Sequence, residues 1–155
     1  MADSAAARSV LVIDDEPLIR SFATRALRAE GFTVTEAAGG RAGLEIALSA
    51  APDVVLLDLG LPDLAGAEVL RRLRHERPDQ AVLVWSATAD PATERQCLQL
   101  GARACLRKPT PIADLLRCVR ASGWPRPAGH SGSMAPGSRR CGRGRRRSGR
   151  GDRLD

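Results

Sequence analysis

This sequence of 155 residues lacks four kinds of feature: zinc-finger motifs, redox cysteine motifs, membrane spans and secretory signals. None of the four cysteines forms a C-x-x-C pair or a finger-like spacing, which argues against a zinc site or a dithiol redox centre. No segment approaches the roughly 20 apolar residues needed to cross a bilayer. The first eight residues lack the apolar stretch of a secretory signal. These absences predict a cytoplasmic protein without membrane insertion.

Lysine is also nearly missing, because Lys108 stands alone against twenty-three arginines. A lysine presents a compact, mobile point charge, whereas an arginine presents a planar fork. Since this composition supplies arginine almost everywhere else, Lys108 is predicted to occupy a crowded anionic pocket that has no room for a fork. Pro109 follows it, and the fixed φ of proline predicts a constrained turn that holds the lysine at the lip of the pocket.

The excess positive charge is confined to the C-terminal end. Residues 1–120 hold 15 basic and 16 acidic residues, whereas residues 121–155 hold nine arginines and two aspartates, a net charge of +7. Gly, Pro, Ser and Arg dominate residues 123–155, a composition that cannot bury enough apolar surface to offset its ordering entropy. We therefore predict an N-terminal extension at 1–8, one folded domain at 9–122 and a disordered tail at 123–155.

Apolar runs alternate with amphipathic stretches through the predicted domain. The predicted strands are residues 9–13, 32–37, 53–57, 81–85 and 102–106. The predicted helices, with apolar side chains at helical spacing, are residues 17–30, 41–50, 66–77, 91–100 and 112–121. Most strand runs are continuously apolar, which is typical of a parallel sheet covered by helices on both faces. The pattern predicts an α/β fold of five βα units.

Charged and hydroxyl side chains follow the predicted strands. In an open parallel sheet, ligands bind beyond the carboxyl ends of the strands. The groups at these ends are Asp14, Asp15 and Glu16 after the first strand, Asp58 after the third, Ser86 after the fourth and Lys108 near the fifth. Crowded carboxylates repel one another and need a cation. Oxygen ligands without His or Cys favour Mg²⁺.

The same edge also suits a phosphate group. Mg²⁺ favours sites with a few carboxylates, several waters and a ligand phosphate. Lys108 can pair with one phosphate oxygen, and the Ser86 hydroxyl can donate to another. Asp58, at the tip of a buried strand, is placed to act as a nucleophile and become an aspartyl phosphate.

At these residues the sequence resembles a response-regulator receiver domain of two-component signalling. The matching residues are Asp14-Asp15, Asp58 within LLDLGLPDLAG, Ser86-Ala87 and Lys108-Pro109 within GARACLRKP, and the resemblance covers residues 9–121. It implies a flavodoxin-like, doubly wound (β/α)5 fold with strand order 2-1-3-4-5. It also implies a cis bond between Lys108 and Pro109, and a signalling domain that changes its surface when it is phosphorylated.

The resemblance assigns a role to each site residue. Asp58 would accept a phosphoryl group from the phosphohistidine of a sensor histidine kinase or a histidine phosphotransfer protein. Asp15 and Asp58 would bind Mg²⁺ through their side chains, Asp14 largely through water, and Gly60 through its backbone carbonyl. Ser86 would be the switch hydroxyl, and Lys108 would hold a phosphoryl oxygen.

The sequence departs from this family in its fifth strand. The family usually has an aromatic residue at the place of Cys105, and acids at the places of Arg103 and Ala104. In winged-helix regulators those acids join the salt bridges of an active dimer, so their loss favours a monomer. An aspartyl-phosphate phosphatase is not expected, because that chemistry needs a second acid where this chain has Gly60.

The tail leaves two alternatives open. The phrase DLGLPD is similar to the receivers of winged-helix transcription regulators, so the chain could be such a regulator without its DNA-binding domain. The arginines between residues 139 and 153 could instead give weak, non-specific contact with nucleic acid through charge alone. No aromatic side chains are interleaved for base stacking, so sequence-specific reading is not expected.

Overall fold

Five strands alternate with five helices along residues 8–122, the part of the chain that this computed structural model describes. The strands are β1 (Ser9–Ile13), β2 (Thr33–Ala37), β3 (Val54–Leu57), β4 (Ala81–Ser86) and β5 (Ala104–Arg107). The helices are α1 (Pro17–Ala29), α2 (Gly40–Ala50), α3 (Gly66–Glu76), α4 (Pro91–Gln99) and α5 (Ile112–Ser122). The predictions for residues 1–7 and for the tail at 123–155 lie outside the described residues.

All strand pairings are parallel, and the sheet runs in the order β2-β1-β3-β4-β5. This confirms the predicted fold and strand order. The central strands β3 and β4 are buried along their whole length, as their unbroken apolar runs require. The edge strand β2 instead exposes three of its five residues.

The apolar side chains form one core layer on each face of the sheet. One layer joins alternate strand residues to α1 and α5, through side chains such as Leu27, Leu115 and Val119. The other joins the remaining strand residues to α2, α3 and α4, through side chains such as Ala47, Leu70 and Cys97. Among residues 8–122, no helix combines the length and apolar character needed to cross a membrane.

The fifth strand begins two residues later than the sequence predicted. Ala102 donates its N–H to the carbonyl of Cys97 and so still closes the end of α4. Regular pairing with β4 starts only at Ala104, which lies opposite Leu83. The start of β5 was hard to predict from the sequence. The end of α4, a turn at Gly101 and an edge strand follow one another within a few residues, and these residues mix charged and apolar side chains.

Asp63, in the loop between β3 and α3, anchors the start of α2. Its carboxylate accepts hydrogen bonds from the backbone N–H groups of Gly40 at 2.8 Å and Arg41 at 3.0 Å. These bonds, led by the one from Arg41, lower the pKa of the Asp63 carboxyl below its ordinary value. A carboxylate is favoured here because the first N–H groups of a helix have no partner within the helix.

We expect Asp63→Ala to lower the free energy of unfolding at neutral pH. Because the folded pKa of Asp63 is depressed, its contribution is present above the unfolded value of about 3.9 and is lost as pH falls through the folded value. Urea unfolding of both proteins should therefore show a difference at pH 7 that shrinks in acid. Asp79→Ala, at an exposed turn position, is the matched control. A difference that persists unchanged at acid pH would contradict the helix-anchoring role of the carboxylate.

Candidate functional site

Three carboxylates meet at the carboxyl edge of the sheet, as predicted. Asp14 and Asp15 follow β1, and Asp58 follows β3, the strand paired with β1. One oxygen from each carboxylate lies within 4.8 Å of the others. Asp14 is only 1% exposed, Asp58 is buried and Asp15 is exposed to solvent. The cluster is therefore accessible to solvent at Asp15 and buried in the protein at Asp14 and Asp58.

Lys108 reaches these acids from the end of β5. Its Nζ atom donates to Asp14 Oδ2 at 2.5 Å and lies 3.8 Å from Asp58 Oδ2. The side chain is 13% exposed, and the backbone N–H of Lys108 donates to the carbonyl of Ser86. The Lys108–Pro109 peptide bond is cis, as predicted. The lone lysine of the sequence thus reaches Asp14 across two intervening strands and Asp58 across one.

The ring of Trp85 lies beneath the Lys108 ammonium. Lys108 Nζ is 4.9 Å from the centroid of the Trp85 ring. The sequence predicted Trp85 only as a core residue, and its 4% exposure confirms that part. The contact with the lysine was missed. The parallel register could have indicated it, because Trp85 pairs with Leu106, two residues before Lys108.

Ser86 ends β4 and is buried. Its Oγ atom lies 3.1 Å from Thr88 Oγ1 and accepts from the Thr88 backbone N–H at 3.3 Å. The structure therefore places Ser86 at the predicted edge, with its hydroxyl hydrogen-bonded to its own loop. Thr88 is the neighbour that determines how this hydroxyl is held.

Two glycines shape the loop after Asp58. Gly60 is exposed, and a side chain there would meet no neighbouring atom within 4 Å. Its N–H lies 3.4 Å from Asp58 Oδ1. A Cβ atom at Gly66 would instead lie 2.3 Å from the Asp58 carbonyl oxygen. Gly66 thus lets α3 start directly against the backbone of Asp58, a role that the sequence did not predict.

The charge balance of the site suits a hard divalent cation. Three carboxylates and one ammonium leave a formal charge of −2. The donor set contains carboxylate oxygens without His or Cys, as Mg²⁺ prefers. The residues present therefore fit the predicted metal.

A family model for the response regulator receiver domain matches residues 10–120. The chain belongs to this family. Receiver domains are signalling modules of two-component systems, which interact with histidine kinases or phosphotransfer proteins and bind Mg²⁺ at an acidic pocket. The Asp14, Asp15 and Asp58 cluster is the acidic pocket of this receiver domain.

Curated relatives of the receiver domain include transcriptional regulators. The probable transcriptional regulatory protein TcrX of Mycobacterium tuberculosis is 39% identical over 73% of this chain and 48% of its own length. The transcriptional regulatory protein KdpE of the same species is 41% identical over 73% of this chain and 50% of its own length. The chain thus spans about half the length of the curated relatives it matches.

Solved receiver structures share the fold. A CheY-like receiver domain from Methanospirillum hungatei has a TM-score of 0.72 and 28% identity, covering 75% of this chain and 93% of that one. CheY in a CheX–CheY–BeF₃–Mg²⁺ complex from Borrelia burgdorferi has a TM-score of 0.71 and 26% identity, covering 74% and 87%. These neighbours therefore share the overall fold of this receiver domain.

Cys105 differs from the aromatic residue that the resemblance led us to expect in β5. It is half-buried and packs against the core layer that contains Cys97. The hydrogen bond with the Cys97 thiol, reinforced by burial, raises the pKa of Cys105 well above its ordinary value. The thiol therefore stays protonated at neutral pH and behaves as a small apolar side chain at this position of the receiver domain.

Proposed function

We propose that Asp58 accepts a phosphoryl group from the phosphohistidine of a sensor histidine kinase or a histidine phosphotransfer protein. The observation that carries this proposal is the position of Asp58, a buried carboxylate whose Oδ2 lies 3.8 Å from the only lysine of the chain. Asp14 and Asp15 complete an acid cluster beside it. The arrangement combines a nucleophile, a phosphate-pairing cation and carboxylates for a metal in one site.

Mg²⁺ would be held by the side chains of Asp15 and Asp58 and by the Gly60 carbonyl. Asp14 would act through water, because its Oδ1 accepts from the Glu16 N–H at 2.9 Å and its Oδ2 from Lys108 at 2.5 Å. Bound there, the metal would supply positive charge to the oxygens of the transferring phosphoryl group.

The remaining chemistry belongs to the side chains of the chain. An Asp58 carboxylate oxygen attacks phosphorus in line, the new O–P bond forms, and the P–N bond to the donor histidine breaks. The electron pair of that bond returns to the imidazole. Lys108 leaves Asp14 to pair with a phosphoryl oxygen, and the Ser86 hydroxyl turns from Thr88 to donate to another. The movement of Ser86 and Lys108 would change the surface formed by their loops.

Phosphotransfer profiling against a panel of purified histidine kinases tests the proposal and identifies the donor. We expect rapid transfer from one or a few kinases to the wild-type chain and none to Asp58→Asn. Transfer to Asp58→Asn at the wild-type rate would refute Asp58 as the acceptor.

The docking surface for the phosphodonor would include α1. This helix follows the acid cluster directly and presents two large apolar side chains, Leu18 at 85% exposure and Phe22 at 52%. Exposed apolar side chains beside a reaction site are typical of a surface that a protein partner covers. The four-residue spacing puts both side chains on one face of the helix.

Phe22→Ser is therefore expected to slow phosphorylation by the cognate kinase about tenfold or more, the loss typical of an interface hot spot. Phosphorylation by acetyl phosphate should be unchanged, because that small donor needs no docking surface. Ser21→Ala, on the exposed side of the same helix, is the control. Equal slowing with both donors would show that Phe22 acts on the site rather than on docking.

For its output, the chain is proposed to act through its own changed surface. Its relatives are named as transcriptional regulators, and the chain spans about half their length. The proposal that fits these facts is a cytoplasmic receiver that signals through its changed surface, and that works as a monomer because Arg103 stands where the dimer-forming acids are expected. A role as the receiver of a transcriptional regulator, and a weak nucleic-acid contact through residues 123–155, remain the alternative proposals.

A further inference from the structure

The Lys108 ammonium lies between two acids and an aromatic ring. Its Nζ atom is 2.5 Å from Asp14 Oδ2, 3.8 Å from Asp58 Oδ2 and 4.9 Å from the centroid of the Trp85 ring. An ammonium has three N–H donors, and of these two carboxylates only that of Asp14 lies within hydrogen-bond distance of Nζ. The negative face of an aromatic ring attracts a cation without forming a bond that must be broken when the cation moves.

The Trp85 ring is held from two directions. Its apolar part belongs to the core layer beneath α1 and α5, together with Leu106 and Leu115. Its Nε1 atom donates to Thr110 Oγ1 at 3.2 Å, and Thr110 Oγ1 donates to the Arg107 carbonyl at 2.6 Å. Arg107 and Thr110 flank the Lys108–Pro109 turn, so the ring and the turn that carries the lysine are joined.

We propose that Trp85 is a positioning residue for Lys108. Its ring holds the ammonium at the level of the acids and gives it a neutral surface on which to move from Asp14 to the phosphoryl group on Asp58. The movement toward the phosphoryl group rests on the proposed function, whereas the holding of the ammonium concerns the resting site alone. A leucine of comparable apolar character would fill the core but would offer the lysine no ring face.

The contact itself can be tested without phosphorylation. Because Lys108 is the only lysine, incorporation of ¹³C-lysine gives an NMR spectrum of this one side chain. We expect its ε-methylene protons to be shifted upfield by the Trp85 ring current in the wild-type protein. The shift should disappear in Trp85→Leu and remain in Trp85→Phe. Random-coil ε-proton shifts in the wild-type protein would overturn the proposal even if no variant folds.

The functional step is tested by a double-mutant cycle. The initial rate of labelling by acetyl phosphate and Mg²⁺ should fall about three- to tenfold in Trp85→Leu and stay near wild type in Trp85→Phe. In the Lys108→Ala background, Trp85→Leu should cause no further loss, because the residue acts through the lysine.

An equal loss in both backgrounds would show that Trp85 only supports the fold, and would overturn the positioning role. If Trp85→Leu is unfolded by circular dichroism, Thr110→Val takes its place in the cycle, since it releases the ring from the lysine turn. Absence of labelling in the wild-type protein would refute the proposed function instead, and the NMR shift would still decide the Trp85–Lys108 contact.

Discussion

Lys108→Arg is expected to slow phosphorylation by acetyl phosphate about 100-fold, close to the effect of Lys108→Ala. A rate decrease of this size is typical when an enzyme site loses one well-placed group that stabilises developing charge. Arginine keeps the positive charge but spreads it over a planar fork. The Lys108 side chain is 13% exposed and is enclosed by Asp14, Asp58 and the Trp85 ring, so the fork cannot take the same place.

The comparison of these two variants separates charge from shape. Arg107→Ala, at an exposed residue of β5, serves as the control and should label at the wild-type rate. Initial rates should be measured at saturating Mg²⁺, so that a change in metal affinity does not affect the measured rate. A Lys108→Arg protein that labels as fast as wild type would show that the site does not require a lysine at this position.

Asp58→Asn is expected to abolish labelling and to make the resting protein more stable. The first effect follows because the amide has no nucleophilic carboxylate oxygen. The second follows because the site holds three carboxylates against one ammonium, and the loss of one negative charge relieves repulsion worth about 1 kcal/mol at these distances. Urea unfolding in Mg²⁺-free buffer should show this gain in the free energy of unfolding.

Added Mg²⁺ should reverse the order of stability. The wild-type acid cluster binds the cation more tightly than the variant, and binding to the folded state alone stabilises it. Asp79→Asn is the matched control, because Asp79 lies at an exposed turn position just before β4, at the opposite end of that strand from Ser86. An Asp58→Asn protein that is less stable than wild type in both buffers would contradict the proposed repulsion.

The order of the elements and the edge that carries the site were predictable because they depend on local patterns. Continuous apolar runs identified β1, β3 and β4, and parallel topology then required Asp14, Asp58 and Lys108 to converge. The edge strand β5 was placed two residues early, since ARACLR mixes charged and apolar side chains and carries little periodicity.

Contacts between distant side chains were not predictable in the same way. Three such contacts depend on how side chains cross from one element to another. They are the hydrogen bonds of Asp63 to the N-terminus of α2, the packing of Cys105 against the core layer that contains Cys97, and the Trp85 ring beneath Lys108. The sequence predicted which groups would carry the chemistry. The structure shows which neighbours hold them in place.

Locating the phosphoryl group tests directly whether Asp58 is the phosphoacceptor. The wild-type chain should be incubated with acetyl phosphate with and without Mg²⁺, trapped by borohydride reduction and mapped by peptide mass spectrometry. We expect one modified residue, Asp58, and modification only when Mg²⁺ is present. Modification of another residue, or equal modification of Asp58 without the metal, would contradict the assignment of Asp58 as the phosphoacceptor.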